Sequence, residues 1–204
     1  LEFRRVLFRS VVTSGEEDRA ICEHYNIMHY TQENKPVTRK WNKSLEYLRT
    51  IGMDYCMVLG SDDLISADLV QNTLVQMDKG MDVIGVNTLY FYAAQGVDRG
   101  SLVRLTRPPN APLLGVAKTI SKGILDSCDW KPWNEDKNWG MDSIASKTIK
   151  QYAKTYAQAD GMVVDVKTRQ NLNSFNVFKR YPSVAPQEFY EMLSDEELQI
   201  LKAL

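Results

Sequence analysis

Short apolar runs and amphipathic stretches take turns along the first half of the chain. Val11-Val12-Thr13 reads as the end of a strand, broken by the polar "SGEED", with a helical stretch through "RAICEHY" after it. "IMHYTQ" is a short strand candidate. "NKPVTRKWNKSLEYLRTIG" carries the clearest helical period: Trp41, Leu45 and Leu48 share a face, and Gly52 can close the C-terminus. "DYCMVLG" is a compact strand. Ser66 can then cap a helix with Val70, Leu74 and Met77 on one face, ended by Gly80. "MDVIGVNTLYFY" follows as a long β-rich run of branched and aromatic residues.

Strands and helices thus alternate through residue 92, the rhythm of βαβ units, and an α/β fold with a mixed, mainly parallel sheet flanked by helices is expected. Beyond it the pattern loosens. "SLVRLT" alternates as a strand beside a proline-rich corner, "KTISKGILDSC" and "WGMDSIASKTIKQYAK" read as helices, and "GMVVDVKT" reads as a strand. The tail "LSDEELQILKAL" opens on a capping box, Ser194 with Glu197.

Composition narrows the class without choosing a function. The chain has 204 residues, 44% hydrophobic and 25% charged, enough for one domain with a core. A net charge of -1 gives no electrostatic case for nucleic acid or an anionic membrane as partner. No apolar run approaches the roughly 20 residues needed to span a bilayer, so no integral membrane segment is expected. The three cysteines, Cys22, Cys56 and Cys128, lack metal-type spacing and suit a reducing cytoplasm, with Cys56 an inert thiol in a strand. His24 and His29, near Cys22, make no zinc set.

The opening "LEFRRVLFRS" lacks the apolar stretch and cleavage site of a signal peptide. It matches the translation of a common sequencing-library adaptor, so residues 1–10 are expected to lie outside the natural fold. The domain is then expected over residues 11–180, with a helical tail over 181–204.

The chemistry concentrates in "MVLGSDDLIS", where a buried-type strand runs out into Asp62 and Asp63. Ligands of open α/β sheets bind outside the carboxyl ends of strands. Carboxylates there suit Mg²⁺ or Mn²⁺, hard ions that fill their shell with phosphate oxygens. The plainer alternative is a loop in which Asp63 or Ser66 only caps the next helix, and the pattern alone leaves the two open.

Several ordered segments resemble a family. "KPVTRKWNKSLEYLRTIGMDYCMVLGSDDLIS", "GMDVIGV…YFY", "GVAKTISKGILDS", "WGMDSIA" and "VVDVKTRQNLNSF" look like the body of a family 2-type glycosyltransferase with the Rossmann-like GT-A fold, over roughly Val11 to Phe178. The resemblance implies transfer of a sugar from a nucleotide-diphosphate donor to a carbohydrate or other hydroxyl acceptor, with inversion and with Mn²⁺ or Mg²⁺. It implies Asp62 and Asp63 as metal ligands and Asp142 as general base. It implies donor contacts from Thr13, Ser14 and Glu16 in "TSGEE", from Asn34 and Lys40, and from Ser61 in the acidic turn. As bare chemistry, Asp142 is also an acid suited to a helix N-terminus, and "TSGEE" is also a solvated acidic loop. Trp139 can stack on a sugar face or simply pack. Arg99, Arg104 and Arg107 can face a substrate, although scattered surface arginines are the plainer account.

Two departures stand out. The family's Asp-any-Asp motif has glycine, Gly60, in its first position, and no histidine follows position 29 to serve as a late metal ligand. The family's first strand–helix unit, which frames the base, is expected to be missing, because "VVTSGEED" corresponds to its second strand. Two other functions use the same layered sheet: a non-catalytic nucleotide- or carbohydrate-binding module, and a sugar nucleotidyltransferase. The latter needs an early glycine-rich phosphate loop.

Overall fold

The structure, a computed structural model, describes residues 10–169, 171 and 173–203. In chain order the elements are β1 (Ser10–Thr13), α1 (Glu16–His24), β2 (Met28–Thr31), α2 (Val37–Arg49), β3 (Tyr55–Val58), β4 (Asp63–Ile65) and α3 (Ala67–Asp78). There follow β5 (Val83–Gly85), β6 (Thr88–Ala93), β7 (Leu102–Thr106), β8 (Lys118–Ser121), α4 (Lys122–Ser127) and α5 (Met141–Ile149). The chain ends with β9 (Tyr156–Gln158), β10 (Val163–Lys167), a 3₁₀ turn (Phe175–Val177), β11 (Ser183–Val184), α6 (Gln187–Met192) and α7 (Asp195–Ala203). Residues 1–9, the bulk of the adaptor-like segment, lie outside the described residues, while Ser10 already pairs with Met28 in β1. Among the described residues no helix is long and apolar enough to cross a membrane.

Two compact units share the chain, one holding residues up to Asp54 with Lys122–Ala153, the other Tyr55–Ser121 with Lys154 onward. In the first unit, β1 and β2 pair in parallel through the crossover α1. The buried positions of α2 include Thr38 and Leu45, and Leu125, Trp130 and Ile149 are buried on or near α4 and α5. Gly52, at φ +74, turns the chain after α2 in the left-handed region that glycine adopts freely.

The second unit carries a five-stranded sheet in the order β11-β7-β6-β10-β4 and a four-stranded sheet in the order β3-β8-β5-β9. The mixed, helix-flanked α/β class is the expected one. Its internal balance differs from a mainly parallel sheet: β6–β10 and β5–β9 are parallel, but the other ladders of this unit are antiparallel. The βαβ rhythm fixes only local crossovers, and strands distant in sequence choose the remaining neighbours.

Two segments depart from their expected form, and the long β-rich run divides. "MDVIGVNTLYFY" splits into β5 and β6, which belong to different sheets. The break falls at Asn87, whose Nδ2 donates to Gln158 Oε1 at 3.0 Å and whose backbone carbonyl accepts from Arg107 N. The first half of "KTISKGILDSC" is a strand, β8, because Thr119 and Ile120 are β-branched and the segment is paired on both edges, by β3 and by β5. On α3 the buried face runs through Leu69 and Thr73, one position before the expected Val70 and Leu74. Its cap is as read: Ser66 Oγ accepts from Leu69 N at 3.3 Å. The Ser194–Glu197 box also forms, with Ser194 N donating to Glu197 Oε2 at 2.8 Å and Glu197 N donating to Ser194 Oγ at 3.2 Å.

The alternating faces of β10 organise this unit. Val163 joins a core with Leu69, Ile84, Val86, Leu89 and Phe91, while Val164 and Val166 join another with Tyr92, Leu102 and Phe189. Full burial of such side chains contributes about 1.5–3 kcal/mol each, so this strand is held rigidly from both sides. Asp165 and Lys167, two and four positions after Val163, share its face.

Candidate functional site

The acidic turn of the second unit is built by strand register. After β3 the chain turns through Gly60, Ser61 and Asp62, with Asp63 N donating to Gly60 O at 3.3 Å. β4 then runs antiparallel to β10 and sets Asp63 directly opposite Asp165. Val166 N donates to Asp62 O at 2.8 Å and holds the turn on the same strand. Carboxylate oxygens of Asp62, Asp63 and Asp165 consequently lie within 4.8 Å of one another. Ser61, by contrast, is exposed at the turn. β4 itself was not anticipated, since "DLIS" carries no period of its own.

Directly opposed like charges destabilise a ladder unless something compensates them. Here the compensation is Lys167, whose Nζ lies 2.7 Å from Asp165 Oδ2 and 3.7 Å from Asp62 Oδ2. Asn171 fixes Asp62 as well: its Nδ2 donates to Asp62 Oδ2 at 2.6 Å, while Thr168 Oγ1 donates to Asn171 Oδ1 at 2.9 Å. Burial pushes the Asp165 carboxyl up to about 7; Lys167 opposes that rise, and the charges of Asp62 and Asp63 add to it. Its Oδ1 is buried with no hydrogen-bond partner among the described residues.

Gly60 belongs to this arrangement. Its N–H donates to Asp63 Oδ2 at 2.6 Å. A Cβ at this position would stand 2.7 Å from Asp62 Oδ1 and 2.8 Å from Asp63 Oδ2. Any side chain at Gly60 would have to displace both carboxylates.

Asp165, Lys167 and Asn171 escaped the sequence reading. Their signal was present in "VVDVKTRQN": two charged residues at alternate positions of an otherwise valine-rich strand put charge on a buried face, which is costly unless paired. The oxygen set fits a hard divalent ion, whose opposite ligands stand about 4–5 Å apart. Asp62, Asp63 and Asp165 form the metal-compatible cluster among the described residues, and neither His24 nor His29 belongs to it.

The first unit gathers a separate set of polar groups. Lys40 Nζ donates to Ser14 Oγ at 2.9 Å and to Asn34 Oδ1 at 3.2 Å, so three of the expected donor contacts meet. Burial lowers the Lys40 pKa, and the charge of Asp18 partly opposes this. Thr13 is fully buried; its Oγ1 donates to Tyr30 O at 3.3 Å and lies 3.2 Å from Thr31 Oγ1, so it ties β1 to β2 and offers no open surface. Glu16 is exposed in the first turn of α1, 3.9 Å from Arg19.

Asp142 is exposed in the first turn of α5. The loop before it is strapped to α2: Val37 N donates to Asn138 Oδ1 at 3.0 Å, Lys137 N to Thr38 Oγ1 at 2.8 Å, and Asn42 Nδ2 to Trp133 O at 2.6 Å. Trp139, 74% exposed, stands out from this loop with Lys137 Nζ 5.7 Å from its ring centroid. Two of the arginines are spent on backbone, Arg107 on Pro112 O and Arg99 on Lys202 O. All three cysteines are free thiols, and burial pushes Cys56 up to about 12.

No protein-family model matches the chain, and no curated protein matches it by sequence. Solved structures do. S. aureus TarS 1-349 matches with a TM-score of 0.50 at 14% identity, covering 95% of this chain and 59% of its own. A Bacillus anthracis protein assigned as a glucose-1-phosphate thymidylyltransferase matches with a TM-score of 0.45 at 10% identity, over 76% of this chain and 69% of its own; so distant a likeness carries no weight. The chain thus spans less than two thirds of the TarS structure, and the likeness to it shows a GT-A-like fold.

Proposed function

We propose that the chain is the donor-handling part of a nucleotide-sugar-dependent glycosyltransferase. It would move a sugar from a nucleotide diphosphate to a hydroxyl acceptor, with inversion and with Mn²⁺ or Mg²⁺. The observation that carries this reading is the convergence of the Asp62, Asp63 and Asp165 carboxylates at a turn after a sheet strand. Asp165 supplies the carboxylate that the motif lacks at Gly60. A divalent ion held there would screen the diphosphate and stabilise the charge it gains on leaving.

The chain's own residues take the remaining roles. Asn171 orients Asp62, and Lys40, held by Ser14 and Asn34, offers a point charge to phosphate. Asp142, by the family likeness, accepts the acceptor hydroxyl's proton. The acceptor oxygen bonds to the sugar C1 as the C1–O bond breaks, and that electron pair leaves on the diphosphate. A positioned base contributes typically 10²–10⁴-fold. Asp62→Asn and Asp142→Asn are each expected to cut sugar transfer by at least ~100-fold. Near-normal turnover in either variant removes that residue from the mechanism. Calorimetric binding of a UDP-sugar with Mn²⁺, without hydrolysis or transfer, would instead make the chain a binding module.

A further inference from the structure

The acidic pocket already contains a cation. Lys167 is only 6% exposed, and its Nζ lies 5.9 Å from the Phe91 ring centroid and 5.2 Å from that of Phe178. Those two rings stack 3.8 Å apart, and β10 is paired on both edges around the lysine's face. The ammonium is thereby confined beside Oδ2 of Asp165 and Oδ2 of Asp62. An ion coordinated by Asp62 and Asp165 has to share carboxylates that Lys167 already engages. It must also approach within a few ångströms of a buried like charge, where screening by water is weak.

We propose that Lys167 is the resident counter-cation of this pocket and the residue that limits its divalent-ion affinity. It holds Asp62 and Asp165 together when no ion is bound, and it competes with an incoming ion for the same two groups. This inference rests on reading Asp62, Asp63 and Asp165 as the metal pocket, and it adds a residue whose effect on the ion is unfavourable. Lysine therefore acts here against the expectation that a second polar group near a metal site strengthens binding.

Mn²⁺ titration of the full chain, followed by the EPR signal of the free ion, tests it. Lys167→Met keeps an apolar stem against the two rings and removes the charge. It is expected to bind Mn²⁺ at least ~10-fold more tightly than the wild type, equivalent to about 1.4 kcal/mol. Equal or weaker binding by folded Lys167→Met, with the wild type binding normally, overturns the inference and leaves the metal pocket standing. Loss of one buried partner can unfold a protein, so Lys167→Met/Asp165→Asn, which removes one charge of each sign, is the second arm. Despite its lost ligand it should bind within about 3-fold of the wild type, or more tightly, and a drop beyond ~10-fold overturns the inference. Absence of Mn²⁺ from the wild type and both variants removes the metal pocket and this inference together.

Discussion

Replacing Asp165 by asparagine isolates the electrostatic cost of the acidic cluster. Burial raises this carboxyl from 3.8 to about 7 in the folded chain. The folded state therefore holds the proton more tightly than the unfolded chain between those two values. Below the lower value both states are protonated and the group adds no pH dependence. As pH rises through the window stability falls, and above about 7 the whole cost is felt. About three pK units at 1.36 kcal/mol each make that cost ~4 kcal/mol. The slope approaches ~1.4 kcal/mol per pH unit near the middle of the window. Urea unfolding followed by circular dichroism, in chelator, from pH 4.5 to 8 measures it for wild type and Asp165→Asn. With an m value of about 2 kcal/mol/M, the wild-type midpoint should fall relative to the variant by ~0.5–0.7 M per pH unit around pH 5–6.5. Parallel curves would show that Asp165 titrates alike in both states, and the buried-carboxylate account of the cluster would fail.

The remaining expectations concern the turn and the lysine of the other unit. Gly60→Ala should leave the thermal melting point within a few degrees, because the atoms it meets are mobile carboxylate ends, yet weaken Mn²⁺ binding by at least ~10-fold as both carboxylates are displaced. Gly60→Asp, which adds a third acid to the turn, should also weaken Mn²⁺ binding; tighter binding would refute the steric account of the glycine. Lys40→Met should weaken nucleotide-diphosphate binding by about 10-fold in calorimetry, a typical loss for one charge-assisted phosphate contact; unchanged affinity would return Ser14, Asn34 and Lys40 to the status of surface polar groups.

Much of the architecture was legible because its signals are local. The period of Trp41, Leu45 and Leu48, the Ser66 and Ser194 caps and the glycine stop after α2 all lie within a few residues of the structure they specify. Errors arose where the decision was non-local. Where the β-rich "MDVIGVNTLYFY" divides is likewise not written locally: Gln158 and Arg107 hold Asn87 where the run changes sheet. "KTIS" carries no decisive period, and only pairing with β3 and β5 makes it a strand.

The candidate site divides along the same line. Sequence alone determined that Asp62 and Asp63 follow directly on the end of a strand, since the apolar run and the glycine before them are contiguous in the chain. Only tertiary structure decided what surrounds them. A ladder between segments a hundred residues apart sets Asp165 opposite Asp63 and brings Lys167 and Asn171 onto Asp62. The physical reason is that a charge's cost depends on its solvent and its neighbours, and both are fixed by packing between distant strands.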